Sequence, residues 1–291
     1  MEAFLHQIFS GLAAGGIYAS VALALVMIYT ATHHINFAQG EMAMFATFIG
    51  WALIEWGGLN FWVAFLLTIV IAFCGGFAIE RIVLRPLHDK PVLSIIIAFI
   101  GLLVIFNALA GWIFGFTIKA FPSPFPTSPP FGNRFLNWHE IGTVGITVVV
   151  LLLLFAFFRL TPLGLAMRAA AFNPESARLV GIRVGLMLAL GWGLAAAIGS
   201  VAGMLVAHVV YLDPNMMAGI LLYGFASALL GGIDNPGGAV VGGFIVGVAE
   251  NVLGAYVIGT ELKLSVALVL IIGVLLVKPA GLFGRRIVTR V

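Results

Sequence analysis

With 291 residues, of which 62% are hydrophobic and 9% charged, and a mean hydropathy of +1.17, the chain carries more apolar surface than one soluble core can hide. A soluble globular enzyme is therefore excluded, and an integral membrane protein is implied. The net charge of +3 and pI of 9.2 come from basic residues scattered over connections, a topology signal rather than a nucleic-acid patch. Runs such as 144–158 are apolar throughout instead of alternating, so the spans are helices with internally satisfied backbones, not barrel strands. The expected fold is an all-α polytopic bundle forming a single transmembrane domain over residues 1–291. The lone Cys74 leaves no disulfide framework and no Cys/His spacing for a metal. The N-terminal MEAFLHQIF lacks the basic start of a cleaved signal peptide.

The first predicted span covers 7–30, long enough for a hydrocarbon core that needs roughly 20 residues. A polar break, THHINFAQGE at 32–41, packs His33, His34, Asn36, Gln39 and Glu41 together before a second apolar run reaches Trp51 or beyond. The third span, 61–79, is stopped by Glu80, Arg81, Arg85, Pro86 and Lys90, and the fourth follows at 92–116. Between 117 and 140, Pro122, Pro124, Pro126, Pro129 and Pro130 alternate with aromatics, which forbids a helix and favours an extended aqueous loop. The fifth span is 141–158 and the sixth 186–210, ended by Asp213 and Pro214. Residues 216–230 are short for a crossing and lead into GGIDNPGG, so a broken or re-entrant helix is expected near 216–238. Two more spans, 239–258 and 262–277, bring the count to eight or nine.

Eleven of the fourteen Lys and Arg fall in connections that nine spans place on one side: Arg81, Arg85 and Lys90; Arg159, Arg168, Arg178 and Arg183; Lys278, Arg285, Arg286 and Arg290. Lys119, Arg134 and Lys263 fall on the other. By the positive-inside rule the 161–185 connection and the C-terminus are cytoplasmic, while the proline-rich loop and N-terminus face outward. A weak internal similarity aligns 11–50 with 193–232 without gaps, pairing GLAA with GLAA and Tyr29 with Tyr211. The two segments would run in opposite directions, as in the inverted repeats of transporters.

The 161–185 stretch is a basic, helix-forming island between apolar runs. Asn173 suits an N-cap, Pro174 a first helical residue, Glu175 a first turn and Gly181 a stop, which together define a short bounded helix. Ser176, Ala177, Arg178, Leu179 and Val180 give it a mixed apolar and basic surface, suited to a soluble partner or lipid headgroups; an ordinary solvated helix is the plain alternative. Within the spans, Glu41 and Glu250 are the acids placed to face a protein interior or a water-filled path, or else to hydrogen-bond between helices. His33 and His34 point apart and have no third ligand, so no metal is expected. No P-loop is present, so the chain is not expected to hydrolyse a nucleotide, and GIDNPGG, which lacks the lysine, reads as a turn at a helix break. Gly199 with Gly203, Gly238 with Gly242 and Gly243 with Gly247 form small faces for close helix packing.

Taken together, GGIYASVALALVMIY at 15–29, INFAQGEMAMFATFI at 35–49, FNPESARLVGI at 172–182, ALLGGIDNPGGAVVGG at 228–243 and KPAGLFG at 278–284 resemble the branched-chain amino acid ABC importer permeases, in particular the smaller, H-type subunits. The resemblance covers nearly the whole chain in the family's order, departing at Asp234, Asn235 and Pro236, where many relatives have a more Gly/Ser-like turn. It implies an inner-membrane subunit that binds no cofactor of its own and pairs with a second, similar permease, two cytoplasmic ATPases and a periplasmic binding protein. Residues 173–182 become the coupling helix, with Arg168, Asn173, Pro174, Glu175, Arg178, Leu179, Gly181 and Ile182 as ATPase-coupling residues. Asn36, Gln39, Glu41 and Glu250 are the translocation-path candidates. A permease for urea or short amides within the same family, and a stand-alone secondary transporter or channel, are the alternative readings.

Overall fold

A computed structural model describes residues 2–88, 90–126 and 137–284. Eleven α-helices follow in order: α1 (Glu2–Thr32), α2 (Gln39–Glu55), α3 (Phe61–Ile79), α4 (Val92–Phe114), α5 (Trp138–Leu160), α6 (Pro162–Phe172), α7 (Pro174–Leu179), α8 (Val184–Val210), α9 (Met217–Gly231), α10 (Pro236–Leu253) and α11 (Lys263–Val277). Among the described residues the only strand-like pairing is a single antiparallel bridge between Lys119 and Leu212. The all-α expectation is met. Arg134, Arg285, Arg286, Arg290, Pro129 and Pro130 lie outside the described residues.

Among the described residues seven helical stretches are long and apolar enough to cross a bilayer, fewer than the eight or nine expected. The difference is α2, with 17 residues, and α9, with 15, about 25 and 22 Å long at 1.5 Å per residue. Both are short, and each begins only at a polar break, THHINFAQGE for α2 and Asp213, Pro214 and Asn215 before α9. Elsewhere the expected limits hold closely. Asn60 caps α3 by accepting from the Trp62 amide at 3.0 Å, and the helix runs through Ile79 before widening into a π-helical turn over Glu80–Leu84. Large apolar side chains stay exposed along α4, α5 and α11, the composition expected of surfaces solvated by lipid.

The chain divides into two compact units, Met1–Val26 with Phe125–Gly145 and Gly219–Val291, and Met27–Pro124 with Ile146–Ala218. In the first, glycines let backbones meet. A side-chain carbon on Gly15 would stand 2.9 Å from Phe244 Cα, and one on Gly11 would stand 2.8 Å from Val248 Cα, so α1 and α10 run antiparallel in direct backbone contact. Gly243 and Gly247 return the contact against Ala19 and Gly15, and Gly242 lies against Ser227 of α9. The glycine pairs are thus packing surfaces. The α9–α10 break is the expected turn: Asn235 caps α10 through the Gly238 amide at 3.1 Å. The KPAGLFG segment closes it from outside, since the Leu282 and Phe283 amides donate to the Leu230 and Gly231 carbonyls at 2.7 and 3.0 Å. Those carbonyls end α9 and would otherwise be orphaned.

The second unit is built on α8. It packs antiparallel to α3, with Gly76 against Trp192 and Gly193 against Phe73, and parallel to α2, with Gly199 against Gln39 and Ala43. Its two ends differ in chemistry. Arg85, just beyond the π-helical turn that follows α3, reaches Gly185 at the start of α8, and Arg81, Arg168, Arg178 and Arg183 belong to the elements that meet there. At the opposite end Lys119 pairs with Leu212 and lies over the Trp51 ring, 4.8 Å from its centroid. Trp56 and Phe114 stack there at 5.5 Å, an aromatic composition that suits the headgroup level.

Candidate functional site

Three constellations carry the polar chemistry. The first is α6–α7 at the basic end of the α8 unit. Thr161 opens α6, its hydroxyl accepting from the Gly164 amide at 3.0 Å, with Pro162 in the first helical position. One residue separates the helices: Asn173 ends α6 in extended backbone and caps α7, accepting from the Ser176 amide at 2.9 Å. Pro174 occupies the first turn, where its missing N–H costs nothing, and Glu175 sits beside the positive end of the peptide dipoles. Gly181, at φ +85°, stops the helix, as the Ile182 amide returns to the Ala177 carbonyl at 3.0 Å. That 6→1 closure needs a left-handed residue, hence glycine.

The island is therefore two helices rather than one, and its short helix has a buried and a free side. Ala177 is buried with Met167 and Ala170 of α6 and Val184, Met187 and Leu188 of α8, and Ile182 packs against this cluster. Arg168, Arg178 and Glu175 are exposed, together with Phe172, 86% exposed, and Leu179, 87% exposed. Six residues with both ends capped and one alanine anchored form a small rigid block whose free face mixes a cation with large apolar side chains.

The second constellation is the break between α1 and α2. His33 takes a left-handed φ of +56°, and the Asn36 side chain accepts from the Ala38 amide at 3.0 Å in a turn that restarts the helix. Asn36, Gln39 and Glu41 are all buried. The Asn36 amide donates to Gln39 Oε1 at 3.4 Å, and Gln39 Nε2 donates to the Ala195 carbonyl of α8 at 3.0 Å. Ala195 lies three turns into α8, so α2 begins deep in the unit rather than at its end. Glu41 accepts from Asn107 Nδ2 of α4 at 3.4 Å, and the same amide reaches the Pro214 carbonyl at 2.9 Å and Asn215 Oδ1 at 3.3 Å. Asn36 and Gln39 thus form one polar pair anchored on α8, and Glu41 a second group with Asn107. Asn107, which the sequence reading did not single out, joins Glu41 to the α8–α9 connection; an asparagine inside an apolar helix was the available signal.

Glu250 belongs to the other unit and has its own partners. It accepts from the Tyr18 hydroxyl at 2.7 Å, and Lys263 Nζ lies 4.0 Å from its second oxygen while donating to Asn251 Oδ1 at 3.0 Å. Tyr223 stacks on Tyr18 at 4.6 Å. This buried, paired carboxylate ties α1, α10 and the start of α11 together, and its partners lie too far apart in the chain for any local pattern to reveal them.

Comparison with known proteins agrees with this architecture. The family model described as the branched-chain amino acid transport system/permease component matches residues 7–275. The chain is 34% identical to the high-affinity branched-chain amino acid transport system permease protein LivH of Escherichia coli (strain K12), over 99% of this chain and 98% of that one. It is 33% identical to the corresponding BraD protein of Pseudomonas aeruginosa, over 99% and 98%. A probable LivH of Methanocaldococcus jannaschii is 29% identical over 91% of this chain and 87% of its own. Among solved structures, PsaBC from Streptococcus pneumoniae in complex with Fab has the same fold at a TM-score of 0.50, with 15% identity over 93% of this chain and 91% of that one. With membrane-length apolar helices and a family match from the first helix to the last, the chain belongs to the permease family of branched-chain amino acid transport systems.

Proposed function

We propose that residues 1–291 form one permease domain of a binding-protein-dependent importer that carries branched-chain amino acids across the bacterial inner membrane. The observation that carries this reading is α7, a doubly capped helix with Ala177 buried and Phe172, Arg178 and Leu179 free. Its free face suits insertion into a groove on a partner ATPase. Arg168, Asn173, Pro174, Glu175, Arg178, Leu179, Gly181 and Ile182 build or present that contact. Two such ATPases, a second similar permease and a periplasmic binding protein complete the assembly. ATP is hydrolysed in the partners, and this chain performs no covalent chemistry.

With α2 and α9 taken as crossings the proposed topology has nine spans, with α6–α7 and the C-terminus on one side, the cytoplasm by the positive-inside rule, and the proline-rich loop on the other. The separation of arginine from Lys119 at opposite ends of the α8 unit supports that orientation. The path runs past Asn36, Gln39 and Glu41, where α2 starts at depth. Backbone interrupted inside the membrane is tolerated where it lines a cavity or is buried in protein. Glu250 supports the path by holding its unit together. The inverted repeat is favoured by two similar segments, α1–α2 and α8–α9. Each is a long helix ended by a left-handed non-glycine residue, His33 and Tyr211, then a shorter helix; these breaks are offset one helical turn from the ungapped alignment.

Uptake of labelled leucine and labelled urea into proteoliposomes holding the complete complex tests the reading. Leucine uptake that requires ATP and binding protein is expected. Uptake of urea alone would assign the chain to amide transport, and leucine uptake by the purified chain without partners would make it a stand-alone transporter.

A further inference from the structure

We propose that the cavity at the basic end of the α8 unit is a binding site for a zwitterionic amino acid with an apolar side chain; the ligand class rests on the function proposed above. The cavity, of about 110 Å³, lies between the C-terminal end of α3, the first turns of α4 and the start of α8. It is larger than one water needs, a share of about 30 Å³. Its apolar walls are Leu84, Ile95, Phe99 and Leu188, and Thr32, His34 and the exposed His88 also line it.

Two buried polar atoms of this lining have no hydrogen-bond partner. Glu80 is 2% exposed and its Oε2 accepts no hydrogen bond; Trp192 is 1% exposed and its indole Nε1–H donates none. Buried polar atoms in native proteins are paired with protein, water or ligand, and leaving one unpaired costs as much as a lost hydrogen bond. The two orphans are of opposite kinds, an anionic acceptor and a neutral donor. An ammonium group satisfies the first and a carboxylate the second, while an aliphatic side chain fits the Leu, Ile and Phe wall. A simple cation would leave the indole unpaired, and a carboxylic acid alone would leave the glutamate unpaired. The last turn of α3 supports the assignment: Glu80–Leu84 is a π-helical segment, a local irregularity that recurs at functional sites. Arg81 and Arg85 are its charged neighbours.

Occupancy has a route to the coupling helix. Leu188 lines the cavity and also belongs to the cluster that buries Ala177 of α7. A ligand at the basic end is therefore in contact with the seat of α7, a position from which the complex can respond to amino acid on that side of the membrane.

The test is equilibrium binding of labelled leucine to the purified complex, without binding protein or nucleotide, competed by 4-methylpentanoate, which lacks the amine, and isoamylamine, which lacks the carboxylate. Saturable leucine binding is expected, with each analogue weaker by about tenfold or more, the loss of one charge-assisted hydrogen bond. Glu80→Gln and Trp192→Phe should each weaken leucine by a similar factor while the complex still assembles, because the first keeps the shape while removing the carboxylate charge and the second keeps a ring packed on Phe99. Leucine binding untouched by both variants, isoamylamine equal to leucine, or a leucine-transporting complex with no saturable binding would overturn the assignment. Glu80-dependent leucine binding in a complex that carries no branched-chain amino acid would sustain the cavity and sink the transport reading instead.

Discussion

Single residues in this chain are constrained by backbone contact as much as by chemistry. Gly243 faces Ala19, and a side-chain carbon there would lie 2.6 Å from the Ala19 Cβ, whereas one on Gly273 would meet nothing within 4 Å. Gly243→Leu is therefore expected to destabilise the protein by about 1–3 kcal/mol through overpacking, and Gly273→Ala to change little. Thermal unfolding of the two variants in detergent compares them directly. Tyr18→Phe removes the hydroxyl that donates to Glu250 and is expected to cost about 1–3 kcal/mol, since one oxygen of a buried carboxylate loses its donor. Equal thermal stability of Tyr18→Phe and wild type would show that water replaces the hydroxyl. Local caps such as Asn173, Pro174 and Gly181 were legible in the sequence because their geometry depends on residues three or four apart. The Glu41–Asn107 and Tyr18–Glu250 pairs were not, because 66 and 232 residues separate the partners, and apolar periodicity says nothing about which helices meet.

At the scale of elements, most helix limits were readable where polarity changes sharply, as at Asn60 before α3 and at Glu80 after it. The reading fell short where one helix follows another without a sharp change in composition, or where a helix starts away from the end of its unit. Thr161 and Pro162 start a separate helix, α6, which merges in composition with the polar island, and α2 starts deeper in its unit than hydropathy implies. α7 is the element with the most specific consequence. Asn173→Ala should cost about 1 kcal/mol of helix stability and weaken coupling modestly. Ala177→Asp should do more, because it buries a carboxylate among Met167, Ala170 and Leu188 and so unseats α7 while leaving its caps in place. Limited proteolysis at the α6–α7 connection in the assembled complex reports this: Ala177→Asp should be cut faster than wild type, and an unchanged rate would show that the cluster does not hold the helix.

For the whole molecule, composition alone settles an all-helical membrane protein, and the distribution of arginine and lysine leads to an orientation. A cysteine at Ser176 should react with a membrane-impermeant reagent in inside-out vesicles and not in intact cells; labelling in intact cells would reverse the topology. In the function proposed here, ATP hydrolysis in the partner subunits drives this permease through one rigid helix, capped by Asn173 and stopped by Gly181. The most direct test of this claim is the ATPase rate of the reconstituted complex, with and without substrate-loaded binding protein, for wild type and Arg178→Glu. Arg178 is exposed and outside the apolar helices, so the variant should assemble and bind the loaded binding protein, yet its ATPase rate should no longer rise when that protein is added. Wild-type assembly together with a wild-type stimulated rate in Arg178→Glu would contradict the claim and reduce α7 to an ordinary surface helix.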